Sequence, residues 1–273
     1  MMPDIVTDLQ EATARIDSNP IAYLIHLSHI PQVEFHEDKH LMWISTKAPV
    51  GLFNSVFNPH FESETDIESS ISETVSRFTS RERSCIWWIG PSARPSNLLD
   101  YLAAQGGCLI QTIAMMACSL DSLPNQIAAD PSTTMRSVRD HESLLTWVDI
   151  YCHSHGYNEI VTKAWYELLS GLELTSGEPL QHYVGYLNGK PAVCASLFLG
   201  VGVAGLFNVT TFPEFRQRGL GGAITLYALI DAQKRGYRIT VLGSSAMAHS
   251  LYSKFGFADY GEMLAYLFQE SSA

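Results

Sequence analysis

Two short stretches of this chain repeat at nearly the same separation. Gly51-Leu52-Phe53-Asn54 recurs as Gly205-Leu206-Phe207-Asn208, 205 − 51 = 154 residues later. The strand-like run Ile86 to Ile89 with the Gly90-Pro91-Ser92-Ala93 that follows it recurs as Thr240 to Leu242 with Gly243-Ser244-Ser245-Ala246, 243 − 90 = 153 residues later. Two matches in almost one register read as a duplication, so the chain is expected to fold as two copies of one α/β unit. Its 273 residues suit that reading, because a domain of roughly 100 to 200 residues can close its own core. Ser119 to Thr134, SLDSLPNQIAADPSTT, is rich in Ser, Pro, Asp and Asn and reads as a linker. The expected division is a first domain over residues 1–125, a linker region over 119–134 and a second domain over 133–273.

Charge and cysteine usage narrow the function classes. With 46% apolar and 16% charged residues the chain reads as globular rather than disordered. Seventeen Lys+Arg against 28 Asp+Glu leave a net charge of −11, so the surface as a whole repels polyphosphate and no nucleic-acid partner is expected. Cys85, Cys108, Cys118, Cys152 and Cys194 are odd in number and form no CxxC pair. That argues against a disulfide framework and against a structural zinc site, and fits a reducing compartment. The start, MMPDIVTDLQEATARI, has acids where a secretion signal needs bases, and no apolar run follows. A cytoplasmic location is therefore expected. Pro191 to Pro213 has no charged residue and the length of a membrane span. Gly200, Gly202 and Gly205 interrupt it, however, and its arms are rich in Val, Phe and Thr, so it reads as a hairpin pairing Ala192–Leu199 with Val203–Thr211. No membrane partner is expected.

The second half reads as a strand at Met135 to Val138 and helices over Glu142 to His153 and Glu159 to Leu172. A strand His182 to Leu187 and the hairpin follow. Leu220, Ala223, Ile224, Tyr227 and Ala228 then recur at helical spacing up to Gly236. Strand Arg238 to Leu242, a short helix from Leu251 and a strand Glu262 to Phe268 complete an order of βααββββαβαββ at most.

Between a strand and that amphipathic helix lies Phe212-Pro213-Glu214-Phe215-Arg216-Gln217-Arg218-Gly219-Leu220-Gly221-Gly222-Ala223. Free N–H groups at a helix start, with the dipole behind them, favour an anion, and glycine lets the backbone come close to it. Arg216 and Arg218 add positive charge locally. No Gly-Lys-Ser/Thr follows and this loop has no GxGxxG, so it is neither a Walker loop nor a Rossmann fingerprint.

Arg216-x-x-Gly219-x-Gly221, followed by a helix, a strand and Leu251-Tyr252-x-Lys254-x-Gly256-Phe257, resembles the acyl-CoA core of the GNAT superfamily of N-acyltransferases. The resemblance covers residues 133–273. It implies an α/β (α+β) fold of two GNAT-like domains, each a mixed, mostly antiparallel sheet flanked by helices. It also implies acetyl-CoA as co-substrate. By that resemblance Arg216, Gln217, Arg218, Gly219, Leu220, Gly221, Gly222 and Ala223 receive the pyrophosphate, and the main chain of Phe207, Val209, Thr210 and Thr211 pairs with pantetheine. Tyr252 takes the place of the family's acid beside the departing thiolate. Ser245 stands where the family often has Asn, seven residues earlier. Asn208 is a candidate to orient the acceptor amine, although Asn54 repeats it.

The first copy departs from the pattern. After its GLFN it reads Asn58-Pro59-His60-Phe61-Glu62-Ser63-Glu64-Thr65-Asp66, with no glycine and several acids, so it is expected to keep the scaffold, with Trp87 and Trp88 as core, and to bind no cofactor. No Asp or Glu lies on Val203 to Thr211 to serve as general base. Cys152, His153, His155 and Glu159 flank the turn between the two helices, with a spacing that matches no established metal pattern. The leading reading is an acetyl-CoA-dependent N-acetyltransferase acting on a small-molecule or peptide amine. The alternatives are a non-catalytic acyl-CoA sensor or interaction module, and transfer of a larger acyl or aminoacyl group. The oligomeric state is left open.

Overall fold

The structure, a computed structural model, describes residues 5–14, 16–48, 51–124 and 126–269. The outer limits of the two expected domains, residues 1, 125 and 273, and the first four residues of the acidic start lie outside them. The first half runs α1 (Leu9–Ala14), α2 (Ser18–Leu27), β1 (Glu34–Glu37), β2 (Met42–Ser45), β3 (Ser55–Phe57), α3 (Glu64–Thr79), β4 (Cys85–Ile89), α4 (Leu98–Ala104) and β5 (Cys108–Ser119). The second runs β6 (Thr133–Ser137), α5 (His141–Ser154), α6 (Glu159–Leu169), β7 (Leu180–Leu187), β8 (Lys190–Gly200), β9 (Val203–Thr211), α7 (Leu220–Lys234), β10 (Ile239–Ser244), α8 (His249–Lys254) and β11 (Ala258–Phe268). Apart from β6, the two halves repeat one element order: two helices, three strands, a helix, a strand, a helix and a strand.

All strands among the described residues join one 11-stranded mixed sheet in the order β1-β2-β3-β4-β11-β5-β10-β9-β8-β7-β6. At its centre the halves exchange their last strands. β11 pairs antiparallel with β4 of the first half, β5 pairs antiparallel with β10 of the second, and β5 and β11 pair with each other. Residues 133–273 taken alone would therefore expose the β10 edge that β5 covers. The same exchange shortens the expected element order. One strand follows α8 where two were allowed, because β11 finds its neighbour in the other half. Three strands separate α6 from α7 where four were allowed, since Ser170 to Pro179 contains Gly171, Gly177 and Pro179 and stays in turns.

The uncharged stretch Pro191 to Pro213 is the β8–β9 hairpin. Its turn is Val201-Gly202, with φ of 48° and 79°, two left-handed residues that match the twist of the flanking strands. The β7–β8 hairpin uses Asn188-Gly189, at 51° and 77°, in the same way. No described helix is long and apolar enough to cross a membrane. The repeated quartet does not keep its conformation. Gly205 to Asn208 lies in β9, whereas Gly51 to Phe53 forms one 3₁₀ turn before β3.

Helices cover both faces. α7, α8 and the Phe255 that follows bury Leu220, Ile224, Leu229, Tyr252 and the Phe255 ring against Leu206 and Leu242. On the same side of the first half, α3 and α4 pack Ile67, Ile71, Leu98 and Leu102 on Trp87. On the other face α2, α5 and α6 share one core, with Leu27, Trp147, Leu169 and Phe198 in it. Helix starts follow from their caps: Asp140 and Ser143 form a reciprocal capping box at α5, and the Asn158 side chain accepts from the Val161 N–H at α6.

Candidate functional site

The site begins where β9 and β10 part. They pair in parallel only at Ala204–Thr240, Gly205–Val241 and Leu206–Leu242, while β9 continues to Thr211 and β10 to Ser244. From Phe207 onward the β9 edge turned toward β10 has no strand partner among the described residues, which suits an extended ligand pairing with main-chain groups. On its other edge β9 carries a bulge: Cys194 pairs with Thr210 but Ser196 with Phe207. Asn208 sits in this bulge at φ 56°, a conformation that asparagine accepts more readily than most residues. A bulge of this kind redirects a side chain.

The loop after β9 makes one 3₁₀ turn, Pro213–Phe215, then passes through left-handed Gln217 (φ 62°) and Gly219 (φ 76°) into α7. Among the described residues the backbone N–H groups of Gln217 to Gly222 donate no hydrogen bond, and the series resumes with Ala223 N–H to the Gly219 carbonyl at 3.0 Å. Six consecutive unpaired donors at the positive end of a fifteen-residue helix form an anion cradle. Arg216 Nε donates to the Thr211 carbonyl at 3.3 Å and braces the loop on the strand end, while the Arg218 side chain is exposed.

The glycines of this loop have separate reasons. A Cβ on Gly219 would run into the carbonyl oxygen of Ala128 in the linker, and one on Gly222 would stand 3.1 Å from Ile127 Cγ2. The linker therefore lies against α7, and the Asp130 N–H reaches the Arg218 carbonyl at 3.3 Å. Close approach to the linker, not room for a phosphate, is what forbids a side chain at Gly219. Only at Gly221 is there space, with Leu251 Cδ2 at 3.7 Å and Thr211 Oγ1 at 3.8 Å.

Tyr252 is buried in the core under α7, edge-on to Phe257 at 5.8 Å between ring centroids. Its hydroxyl makes no hydrogen bond among the described residues, and burial pushes the phenol above its ordinary pKa. Ser245 is exposed, and its carbonyl accepts the Ala248 and His249 N–H groups that open α8.

On the face of the sheet that carries α2 and α5 lies a cavity of about 470 Å³, bordered by Leu206, Phe207 and Asn208 of β9, Gly243 of β10 and residues of both halves. Tyr23 of α2 stacks on Phe207 at 4.8 Å and is hydrogen-bonded to the Asn208 side chain. Its burial outweighs that bond and pushes its pKa up to about 12. Behind Asn208, its Nδ2 approaches Ser196 Oγ at a long 3.5 Å, and Ser196 Oγ lies 2.7 Å from His182 Nδ1. Burial, with Arg139 nearby, lowers the His182 pKa to about 3 and keeps the ring neutral. His155 also borders the cavity. Its Nδ1 is 2.8 Å from the Tyr151 carbonyl, which can only accept, so in the neutral ring the lone pair is on Nε2.

The other residues of the α5–α6 turn stand apart from one another. Cys152 is buried, His153 lies edge-on to Phe212, and Glu159 opens α6. No cluster able to hold a metal occurs among the described residues. Asn54, unlike Asn208, is tied into its own loop, accepting from the Ser45 hydroxyl and the Thr46 N–H and donating to the Ala48 carbonyl. Trp87 is core as expected, but Trp88 borders the cavity and donates to Ser55 Oγ at 3.0 Å. In the first half, α3 starts with Ser63 as cap and Glu64 and Asp66 in its first turn, so its N-terminus already carries the negative charge that an anion would bring. Tyr23 and Trp88 could not be picked out from the sequence, since what marks them is a cavity that exists only once both halves are in place.

Residues 178–259 match the family model described as an acetyltransferase (GNAT) domain. The chain is 34% identical over 73 residues to the [ribosomal protein bS18]-alanine N-acetyltransferase of Escherichia coli K12, a stretch that is 26% of this chain and 49% of that protein. The chain thus spans about half the length of the curated relative it matches. A GCN5-related N-acetyltransferase from Kribbella flavida superposes with a TM-score of 0.73 over 95% of this chain and 96% of that one, at 17% identity. A tandem GNAT protein from the clavulanic acid biosynthesis pathway superposes with a TM-score of 0.62 over 100% and 98%, at 12% identity. These structural likenesses establish the fold.

Proposed function

Given that the chain belongs to the GNAT superfamily, we propose that it is an N-acetyltransferase that moves the acetyl group of acetyl-CoA to a primary amine. The run of unpaired N–H groups from Gln217 to Gly222, opening beside the unpaired β9 edge, carries this reading. Those residues fit acetyl-CoA: the cradle, with Arg216 and Arg218, takes the pyrophosphate, and Phe207, Val209, Thr210 and Thr211 pair with pantetheine. Ser245, exposed directly after β10, offers its hydroxyl to the same ligand. The first half, residues 1–125, acts as a GNAT-like copy without a cofactor, joined through 119–134 to the catalytic copy, 133–273.

Acetyl-CoA supplies an acetyl carbon activated by a thiolate leaving group. The amine nitrogen forms a C–N bond to that carbon, the C–S bond breaks, and the proton shed by nitrogen passes to His155 Nε2 or to water. A phenol whose pKa burial has raised stays protonated, and full transfer of its proton to a thiolate is uphill. Tyr252 therefore acts by a charge-assisted hydrogen bond to sulfur, and solvent returns the proton. Asn208, held in the bulge by Ser196 and Tyr23, orients the amine.

The 34% identical relative acts on a ribosomal protein's alanine, which keeps a peptide amine among the acceptors. A cytoplasmic location fits the free cysteines. The test is calorimetric titration of the full chain with acetyl-CoA, followed by an amine panel read by thiol release. Binding with turnover is expected. Binding with no turnover on any amine would favour the acyl-CoA sensor, and no binding would refute both.

A further inference from the structure

The cavity next to Asn208 has walls of unusual uniformity. Tyr23, Phe53, Phe57, Trp88, Tyr151 and Trp165 contribute aromatic surface from both halves, and among the described residues no Lys or Arg borders it. Its one carboxylate among the described residues, Asp17, is itself buried, and its Oδ2 accepts from the Ser92 N–H at 2.9 Å and the Ser92 hydroxyl at 2.6 Å. The volume of about 470 Å³ falls within the range of pockets that enclose a whole small molecule. Among its polar groups, Asn208 and Tyr23 meet beside β9, at the point where that strand loses its β10 partner.

From this geometry we infer that the acceptor is a primary amine carried on a single aromatic or similarly large apolar body, with the body in the cavity between the halves and the amine at Asn208. The inference rests on the N-acetyltransferase reading above. Aromatic walls favour the body by burial and hold an ammonium group over their faces before it loses its proton. A polyhydroxylated acceptor is disfavoured because most of the wall surface is apolar, and each hydroxyl buried unpaired weakens binding by about tenfold or more. A phosphorylated acceptor is disfavoured because no Lys or Arg among the described residues stands on the wall. The same walls would suit an aromatic acyl group on CoA, so the test separates the two sources.

The experiment uses the full chain in three steps. Acetyl-CoA is first titrated by calorimetry. Thiol release from acetyl-CoA is then measured with 2-phenylethylamine, tryptamine, ethylamine and glucosamine, and finally from phenylacetyl-CoA with ethylamine. The expected result is a kcat/KM for the two aromatic amines at least about 100-fold above those for ethylamine and glucosamine. In Ile21→Trp, which adds bulk from α2 to the cavity wall, the aromatic amines should lose at least about tenfold in kcat/KM while acetyl-CoA binds unchanged. Should that variant not fold, competition of 2-phenylethanol against 2-phenylethylamine in the wild type gives the same answer, with mutually exclusive binding expected. Equal rates on all amines, or preference for glucosamine, would overturn the inference while leaving acetyl transfer standing. Preference for phenylacetyl-CoA with ethylamine would assign the cavity to the acyl group and overturn it too. Failure of acetyl-CoA to bind would instead overturn the underlying reading.

Discussion

Replacing Gly221 with alanine should make the protein more stable and a worse acetyl-CoA binder. Gly221 is the second residue of α7, and the nearest atoms a Cβ would meet, Leu251 Cδ2 and Thr211 Oγ1, are at 3.7 and 3.8 Å, ordinary contact distances. Alanine in a helix is favoured over glycine by about 0.5–1 kcal/mol, so the free protein should gain about that much. The same Cβ enters the space between the unpaired N–H groups and the end of β9, where the pyrophosphate is placed. Displacing one hydrogen bond to a charged oxygen costs about 1.5–3 kcal/mol, a loss of roughly 10- to 150-fold in affinity. Thermal unfolding without ligand and calorimetry with acetyl-CoA read the two effects separately. An affinity equal to wild type would refute the placement of the pyrophosphate at the start of α7. A lower melting temperature without ligand would refute the claim that Gly221 faces open space. Gly219 does not offer this test, since its left-handed φ of 76° and the Ala128 carbonyl make any side chain there disruptive.

Tyr252→Phe should leave the fold unperturbed, because the hydroxyl has no partner among the described residues. It should lower kcat by about 10- to 150-fold, the worth of one hydrogen bond to a charged sulfur; unchanged turnover would make Tyr252 a packing residue only. Val201→Asn should raise stability by about 1 kcal/mol and the melting temperature by a few degrees, since a β-branched residue at φ 48° in an exposed turn is strained; a drop in melting temperature would count against that account. His155→Ala should reduce kcat more than it raises KM for acetyl-CoA, by about 10²-fold if Nε2 takes the amine proton; a change in KM alone would make it a binding residue. Produced alone, 133–273 should aggregate through the β10 edge, whereas co-expression with 1–125 should restore a soluble pair. A monomeric, cooperatively melting 133–273 would show that the exchanged strands are dispensable.

Several elements are decided locally. The hairpin from Pro191 to Pro213 follows from β-branched arms around glycines, and α7 from apolar spacing closed by Gly236. The cradle follows from Gly219, Gly221 and their neighbours at a strand-to-helix junction. Each is decided by residues within a few positions of one another, and a sequence displays such neighbours directly. The repeat at 153 to 154 residues also marked the shared element order, because duplicated segments keep their apolar pattern.

Only the tertiary structure decided how the halves meet. Nothing local distinguishes β5 pairing with β10 from β5 pairing with its own half, since an edge strand offers the same N–H and C=O groups to either neighbour. The exchange settles why one strand follows α8, and it brings Tyr23 and Trp88 to the same cavity as Asn208 and His155. It likewise decides that Gly219 faces Ala128 of the linker, a contact between residues 91 positions apart, 219 − 128 = 91. Chain neighbours set conformation, but a cavity wall and a strand partner are set by which distant surfaces bury together, and that is a property of the whole fold.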